Sequence, residues 1–207
     1  MTGSSQAPLS YVALGDSYTI GTATRSPAER WPDQLVARLR SVSPSLELVA
    51  NLGVDGFTSR DVIDVELQEL PALAPGFVTV LVGVNDVVQG VPEATYRENV
   101  SIILDELLRR LLPARILIVT TPDYTVTPRG GDFGNPSQQS AEIRRFNGAI
   151  AELASVHGIS VVDIHDLSLE AAADRSLVAD DGLHPSGAQY ARWVDRIAPV
   201  VAELIKG

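Results

Sequence analysis

The 207-residue sequence contains no cysteine. Disulfide bonds, thiolate metal sites and a cysteine nucleophile are therefore excluded, although the cellular compartment is left open. Basic residues are also scarce, with 16 Lys and Arg against 26 Asp and Glu and a formal net charge of −10. Because binding to nucleic-acid phosphates needs clustered basic side chains, this balance argues against a nucleic-acid partner.

Long apolar stretches and targeting signals are missing as well. No run approaches the ~18 apolar residues that span a bilayer, so we expect no membrane-spanning segment. The opening stretch MTGSSQAPLS has neither the basic nor the apolar region of a secretory signal peptide. We interpret residues 1–10 as a flexible leader before a single domain at 11–207. We expect a cytoplasmic protein, with a secreted form left open if a signal peptide was removed, and the oligomeric state is not readable.

What the chain does contain is an alternation of short apolar runs with helical patterns. Because the apolar runs are continuous rather than alternating, they predict strands of a parallel sheet covered on both faces. The expected fold is α/β, a three-layer αβα sandwich around a five-stranded parallel sheet, doubly wound and flavodoxin-like. The predicted strands are 11–15, 46–51, 77–83, 115–121 and 159–164, and the predicted helices are 31–42, 58–70, 93–112, 138–157 and 187–205.

Polar or glycine-rich stretches follow the first three predicted strands. They are GDS at 15–17, NLGVDG at 51–56 and GVND at 83–86. An irregular stretch, TPDYTVTPRGGDFGNPSQ at 121–138, follows the fourth strand, and a loop that long in a compact domain is usually functional or mobile. In open α/β sheets ligands bind outside the carboxyl ends of the strands, so these stretches predict a site at that edge.

Ser17 lies at this edge and could serve as a nucleophile if a base lies beside it. Of the three histidines, His157 precedes a glycine at a predicted helix end, where a helix cap is the plain interpretation. His165, in VVDIHDLS, and His184, in DDGLHPSG, are both candidate bases. His184 follows Asp181 by three residues in one turn, so the carboxylate could orient the imidazole.

Taken together, four stretches resemble the motif blocks of a known family, the SGNH hydrolases, also called GDSL esterases/lipases. LGDSYTIG, NLGVDG, GVND and DDGLHP follow one another in the order of those blocks and lie between residues 14 and 185. The third block has Val84 where glycine or threonine is frequent in the family. The chain lacks the Gly-x-Ser-x-Gly elbow of the α/β-hydrolases, which favours the SGNH family over them.

The resemblance implies a carboxylic ester hydrolase with the SGNH hydrolase fold and no metal or organic cofactor. It makes Ser17 the nucleophile, His184 the general base and Asp181 its orienting partner. The implied oxyanion hole consists of the backbone N–H groups of Ser17 and Gly56 and the side-chain amide of Asn85. These residue types suit the task, because glycine leaves its N–H unshielded and an amide supplies donors without a titrating charge.

Two further acids lie within the blocks. Asp16 and Asp86 could be taken for catalytic acids, but neither is needed for acyl transfer once Asp181 and His184 are in place. A carboxylate beside a strand end can accept backbone N–H bonds and hold a loop. We therefore interpret both as structural.

The substrate expected from the resemblance is a small-molecule ester. The stretch 121–138 carries few large apolar residues, namely Tyr124, Val126 and Phe133, whereas a lipase for long chains would present a broader apolar surface. We therefore expect a small or short acyl group. Carbohydrate O-deacetylases, thioesterases and lysophospholipases share the family's catalytic set and stay open as alternatives. A non-enzymatic α/β binding module would not account for the site residues, and no nucleotide-phosphate motif occurs.

Overall fold

One parallel sheet organises the protein, as seen in a computed structural model that describes residues 6–206. Its strands lie in the order β2-β1-β3-β4-β5 and comprise β1 Leu9–Gly15, β2 Leu46–Asn51, β3 Phe77–Leu81, β4 Ile116–Val119 and β5 Ser160–Val162. The prediction of a five-stranded parallel α/β sheet is confirmed. Strand order reverses between β1 and β3, which is where doubly wound sheets bind ligands.

Helices of two groups cover the sheet. They are α1 Ser17–Ile20, α2 Trp31–Arg38, α3 Ser59–Asp61, α4 Leu67–Leu73, α5 Val84–Val88, α6 Glu93–Leu108, α7 Pro136–Val156, α8 His165–Leu169 and α9 Gly187–Leu204. A π-helical segment, Val62–Glu66, joins α3 to α4. Helix α2 contacts α9, whereas α6 contacts α3 and α7, and right-handed crossovers place these two groups on opposite faces. Within residues 6–206, no helix is long and apolar enough to cross a membrane.

The core explains why the strand runs are continuously apolar. Residues 11–14 of β1 are fully buried, and all five residues of β3 are buried as well. Since both faces of these strands contact helices, most of their positions carry apolar side chains. Thr79, a buried polar residue within β3, shares a hydrogen bond with the Tyr11 hydroxyl at 2.8 Å. The centre of the sheet is therefore buried, whereas the edge strand β2 is partly exposed.

Several element ends differ from the sequence prediction. Strand β1 begins at Leu9, two residues before the predicted start, and residues 1–5 of the predicted leader lie outside the described residues. Strand β4 ends at Val119 rather than at residue 121, because the Thr121 N–H donates to the Asn147 side chain at 2.8 Å instead of to a strand. The predicted helix at 58–70 is longer, since the helical segments run without a break from 59 to 73.

The predicted loop at 121–138 ends three residues earlier than expected. Helix α7 begins at Pro136, a residue type suited to the first helical position, and Asn135 caps it by accepting from the N–H groups of Ser137 and Gln138. The rest of the stretch contains two short 3-10 turns, Tyr124–Val126 and Gly130–Phe133. It is otherwise irregular, as predicted.

Candidate active site

Ser17 lies in a tight turn between β1 and α1. Gly15, at the end of the strand, has a φ of +147°, and a Cβ there would come within 2.0 Å of the Leu81 carbonyl oxygen, so only glycine fits. Asp16 caps the helix by accepting from the Tyr18 N–H at 2.9 Å. Ser17 is therefore the first residue of α1 and sits, nearly buried, at the carboxyl edge of the sheet.

His184 and Asp181 meet Ser17 from the turn that precedes α9. The Nε2 atom of His184 lies 3.1 Å from Ser17 Oγ, and its Nδ1 atom lies 2.6 Å from Asp181 Oδ2. The other carboxylate oxygen of Asp181 accepts from the backbone N–H groups of Leu183 and His184, at 2.9 and 3.0 Å. Hydroxyl, imidazole and carboxylate thus form one continuous chain of hydrogen bonds.

The charge of Asp181 is held in place by this turn. Burial raises the pKa of Asp181, but the hydrogen bonds from the His184 ring and from the Leu183 and His184 N–H groups outweigh burial, and the net pKa lies below its usual range. The carboxylate is therefore ionised at neutral pH. In that form it can hold the imidazole in one tautomer and stabilise its cation.

Backbone contacts with residues 178 and 179 hold the turn that carries His184. An isolated antiparallel bridge pairs Val178 with Pro185, and the His184 carbonyl accepts from the Ala179 N–H at 2.8 Å. The Tyr18 ring lies 5.8 Å from the imidazole, centroid to centroid. These contacts limit the rotation of the His184 side chain, so its distance to Ser17 is set by the fold.

Gly56 and Asn85 lie in the loops after β2 and β3. Gly56 has a φ of +82°, a left-handed conformation that favours glycine, and no atom outside the adjacent residues lies within 4 Å of where a Cβ would be. The Asn85 amide donates one hydrogen to the Phe57 carbonyl at 2.9 Å, which orients the group and leaves its second hydrogen available. Within residues 6–206, neither the Ser17 N–H nor the Gly56 N–H donates a hydrogen bond.

A buried network joins these two loops. Asp86 accepts from both the N–H and the hydroxyl of Ser59, at 2.8 and 2.5 Å, and Asn99 donates to the same hydroxyl at 3.0 Å. Burial raises the pKa of Asp86, against the hydrogen bonds from Ser59. Asp86 therefore ties the start of α3 to α5, as the structural interpretation expected. The contributions of Ser59 and Asn99 left no motif in the sequence.

The two other histidines have different surroundings. His165 begins α8, and its Nε2 lies 3.5 Å from Asp123 Oδ2, not aligned for a hydrogen bond. Its neighbours Asp163 and Asp166 are engaged elsewhere, with Thr120 and Arg196 respectively. His157 caps the carboxyl end of α7, as predicted. His184 is the histidine whose ring contacts Ser17.

A small cleft opens beside Ser17. Its volume is about 60 Å³, and it is lined by Ser17, Tyr18, Val84, Asn85, Val88, Tyr124, Phe133, Leu183 and His184. The rings of Tyr124 and Phe133 meet edge to face, 5.6 Å apart. Tyr124 and Phe133 were noted in the sequence as apolar residues near the site, and Val84 as a departure from the third block. Val88 and Leu183 were not predicted as lining residues, because nothing in their spacing places them beside Ser17. The cleft is apolar apart from the groups at its base.

Several known structures are similar to this chain in fold. A lipase/acylhydrolase from Enterococcus faecalis is 20% identical, covers 94% of this chain and 96% of its own, and has a TM-score of 0.74. A member of the lipolytic protein G-D-S-L family from Veillonella parvula is 18% identical over 95% of this chain and 98% of its own, with a TM-score of 0.70. The acetylxylan esterase Axe2 from Geobacillus stearothermophilus is 19% identical over 98% and 96%, with a TM-score of 0.70.

At these identities the structures establish a shared fold. No functionally curated protein matches the chain by sequence. Residues 13–192 match the GDSL-like lipase/acylhydrolase family, and that range contains Ser17, Asp181 and His184. The match covers most of the chain and agrees with the resemblance in the sequence blocks. The chain belongs to the GDSL-like lipase/acylhydrolase family and is a carboxylic ester hydrolase.

Proposed function

We propose that the protein hydrolyses small, short-acyl carboxylic esters through an acyl-enzyme on Ser17. The observation that carries the proposal is the hydrogen-bonded chain from Ser17 Oγ through His184 to Asp181, with distances of 3.1 and 2.6 Å. A serine hydroxyl is a weak nucleophile until an adjacent base takes its proton. His184 is the base, and Asp181 orients it.

In the first half of the reaction, Ser17 Oγ attacks the ester carbonyl carbon while His184 Nε2 accepts the hydroxyl proton. The carbonyl oxygen becomes an oxyanion, which accepts hydrogen bonds from the Ser17 and Gly56 N–H groups and from Asn85. Preorganised donors of this kind are each worth about 3–4 kcal/mol in acyl transfer. When the tetrahedral intermediate collapses, the C–O bond to the alcohol breaks and His184 returns its proton to the departing oxygen.

In the second half, water replaces the alcohol. His184 accepts a proton from the water as its oxygen attacks the acyl carbon, and the same three donors stabilise the second oxyanion. Collapse breaks the bond to Ser17 Oγ, which takes the proton back from His184, and the carboxylic acid leaves. Neither half of this proposed reaction uses a metal or a cofactor.

The size of the cleft supports a short acyl group. A volume of about 60 Å³ accommodates only a few heavy atoms, and the lining by Val84, Val88, Phe133 and Leu183 is apolar. Each buried methylene contributes about 0.8 kcal/mol, so acyl groups that fit gain affinity with length until the wall is reached. We expect that limit within the first few carbons.

Hydrolysis of O-acetyl groups on carbohydrates is the second candidate. The small cleft suits an acetyl group, and one structural relative is an acetylxylan esterase. A larger cleft of about 520 Å³ is lined in part by Arg25, Arg175 and Asp180, and its lining includes residues on both sides of His184 in the chain. A series of p-nitrophenyl esters from acetate to octanoate, compared with a per-acetylated xylose, separates the two candidates by kcat/KM.

Replacement of the nucleophile tests the assignment directly. Ser17→Ala is expected to reduce kcat for p-nitrophenyl acetate by at least about 10³-fold, because no other hydroxyl can form the acyl-enzyme. The matched control is Ser10→Ala, since Ser10 lies at the opposite end of β1. Activity of Ser17→Ala at the wild-type level would refute the proposed mechanism.

A further inference from the structure

A buried glutamate reaches the nucleophile turn from a helix on one face of the sheet. Glu66 is 1% exposed and lies at the end of the π-helical segment Val62–Glu66. Its Oε2 atom accepts from the Gly15 N–H at 2.8 Å, two residues before Ser17. The widened backbone of a π-helical turn often marks a functional position in a helix. The proposed mechanism gives Glu66 no role.

Asp16 is a second buried acid in the same turn. It is fully buried, and its Oδ1 accepts from the Tyr18 N–H. Asp16 Oδ2 and Glu66 Oε1 are both buried and have no hydrogen-bond partner within residues 6–206. Leaving a carboxylate oxygen buried and unpaired is costly, and two ionised carboxylates cannot share one apolar region. A proton on Glu66 removes its buried charge, so that the two acids are not both ionised.

The charges around the two acids act in the same direction. Burial raises the pKa of Asp16 to about 8 and that of Glu66 to about 9. Asp16 and Asp61 raise the pKa of Glu66 further, and Asp86 and Asp55 do the same for Asp16. The hydrogen bonds from Gly15 and Tyr18 oppose burial but do not cancel it. Every charged group acting on the pair is acidic, so the pair retains a proton at neutral pH.

We infer that Glu66 is a positioning residue that holds the Gly15–Asp16–Ser17 turn by accepting the Gly15 N–H with a buried, neutral carboxyl group. The inference rests on the proposed role of Ser17 as nucleophile. Glu66 fixes the peptide before Asp16, Asp16 fixes the first turn of α1, and Ser17 lies between these two anchors. Loss of the Glu66 proton places a buried negative charge beside the turn, which displaces Ser17 from His184. A displacement of about 1 Å can cost about 10²-fold in rate.

Two substitutions at Glu66 separate positioning from simple packing. Glu66→Gln keeps an acceptor for the Gly15 N–H in a side chain that cannot ionise, whereas Glu66→Leu keeps the bulk and loses the acceptor. Asp64→Asn is the matched control, because it removes a charge from the same π-helical segment at a half-exposed position. For each variant, kcat and KM for p-nitrophenyl acetate are measured from pH 6 to 10, with each sample assayed again after its return to pH 7.

At pH 7, Glu66→Leu should lower kcat by about tenfold or more with little change in KM, because the reacting group is misplaced while the cleft is intact. Glu66→Gln should stay within about twofold of the wild type, since the amide oxygen still accepts from the Gly15 N–H. Above pH 9 the wild type and Asp64→Asn should lose activity reversibly. Glu66→Gln should retain its activity there, because its side chain has no proton to lose.

The contrary outcomes are distinct. If Ser17→Ala is inactive but Glu66→Leu has wild-type kcat, the positioning role is refuted and the nucleophile assignment stands. If Ser17→Ala is active, the nucleophile assignment itself fails. Should Glu66→Leu not fold, Glu66→Gln decides: an alkaline loss identical to that of the wild type, or a kcat at pH 7 tenfold below it, would overturn the inference.

Discussion

His184 and His165 are both largely buried histidines that face an aspartate, yet their rings have different partners. The His184 ring joins Asp181 to Ser17, whereas the His165 ring lies against Asp123 alone. In the sequence both were candidate bases, because each follows a predicted strand or turn at the correct edge. The contact with Ser17 distinguishes them, and that contact joins residues 167 positions apart.

Replacement of each histidine by alanine should therefore have unequal effects. His184→Ala removes the group that accepts the Ser17 proton, and we expect kcat to fall by about 10⁴-fold or more. His165→Ala should keep kcat within a few fold of the wild type. Steady-state kinetics with p-nitrophenyl acetate measure both, and thermal unfolding verifies that each variant folds. Comparable losses in the two variants would contradict the assignment of His184.

At the scale of elements, the stretch between β4 and α7 is more ordered than its composition predicts. Asp123 organises it by accepting from the N–H and hydroxyl of Thr125, at 3.0 and 2.6 Å, and from the hydroxyl of Ser140 at 2.6 Å. Burial raises the pKa of Asp123, but His165, Ser140 and Thr125 lower it to a net value well below the usual range. The ionised Asp123 carboxylate thus holds the stretch in place, and the side chains of Tyr124 and Phe133 line the cleft.

Phe133 is the side chain through which this stretch should set the acyl length. Phe133→Ala removes one wall of the cleft and its edge-to-face contact with Tyr124, so longer acyl groups gain room. We expect kcat/KM for p-nitrophenyl hexanoate to rise relative to acetate by about tenfold, as burial of two methylenes would provide. Val126→Ala, in the same stretch but away from the cleft, is the control. An unchanged ratio would show that Phe133 does not limit acyl length.

Several elements of this site could not be read from the sequence. The short helices α5 and α8 have too few residues to show a periodic pattern, and the π-helical segment differs from an α-helix by a shift in hydrogen bonding that no spacing records. A helix was predicted at 58–70, and helical segments are observed from 59 to 73. Its polar residues Ser59 and Glu66 face inward toward the site, which only packing reveals.

At the scale of the whole molecule, acids with pKa values shifted in opposite directions give stability a dependence on pH. Asp16 and Glu66 have raised pKa values, about 8 and 9, whereas their pKa values in the unfolded chain are near 4. Their contribution to the free energy of unfolding is therefore fully present below pH 4 and is lost as the pH rises through 8 to 9. Asp181 and Asp123 have lowered pKa values, so they stabilise the fold at pH values above their pKa in the unfolded chain. That stabilisation is lost as the pH falls through their pKa values in the folded protein.

We therefore expect the free energy of unfolding to decrease between pH 5 and pH 9. Each buried acid of the pair accounts for at most about 1.4 kcal/mol per pH unit in that range. Urea unfolding at several pH values should show a shallower decrease for Glu66→Gln than for the wild type, whereas Asp64→Asn should follow the wild type. Parallel slopes in all three proteins would mean that Glu66 is already ionised in the folded state.

The sequence by itself determined the fold class, because continuous apolar runs alternating with helical patterns leave few arrangements other than a doubly wound parallel sheet. It also determined which residues were candidates, since Ser17, Gly56, Asn85, Asp181 and His184 all lie in recognisable blocks. The predicted boundary of one domain at 11–207 stays a prediction. The leader predicted at 1–10 and the expected absence of a cofactor likewise stay predictions.

Only the tertiary structure decided which candidates touch. Strand order brings the turn after β1 beside the turn before α9, so that Ser17 meets His184 rather than His165. The same packing made the cleft small and left two acids buried behind the nucleophile turn. Distances between side chains far apart in sequence, and the solvent they lose on folding, are properties of the packed molecule. The local pattern of residue types specifies neither these distances nor this loss of solvent.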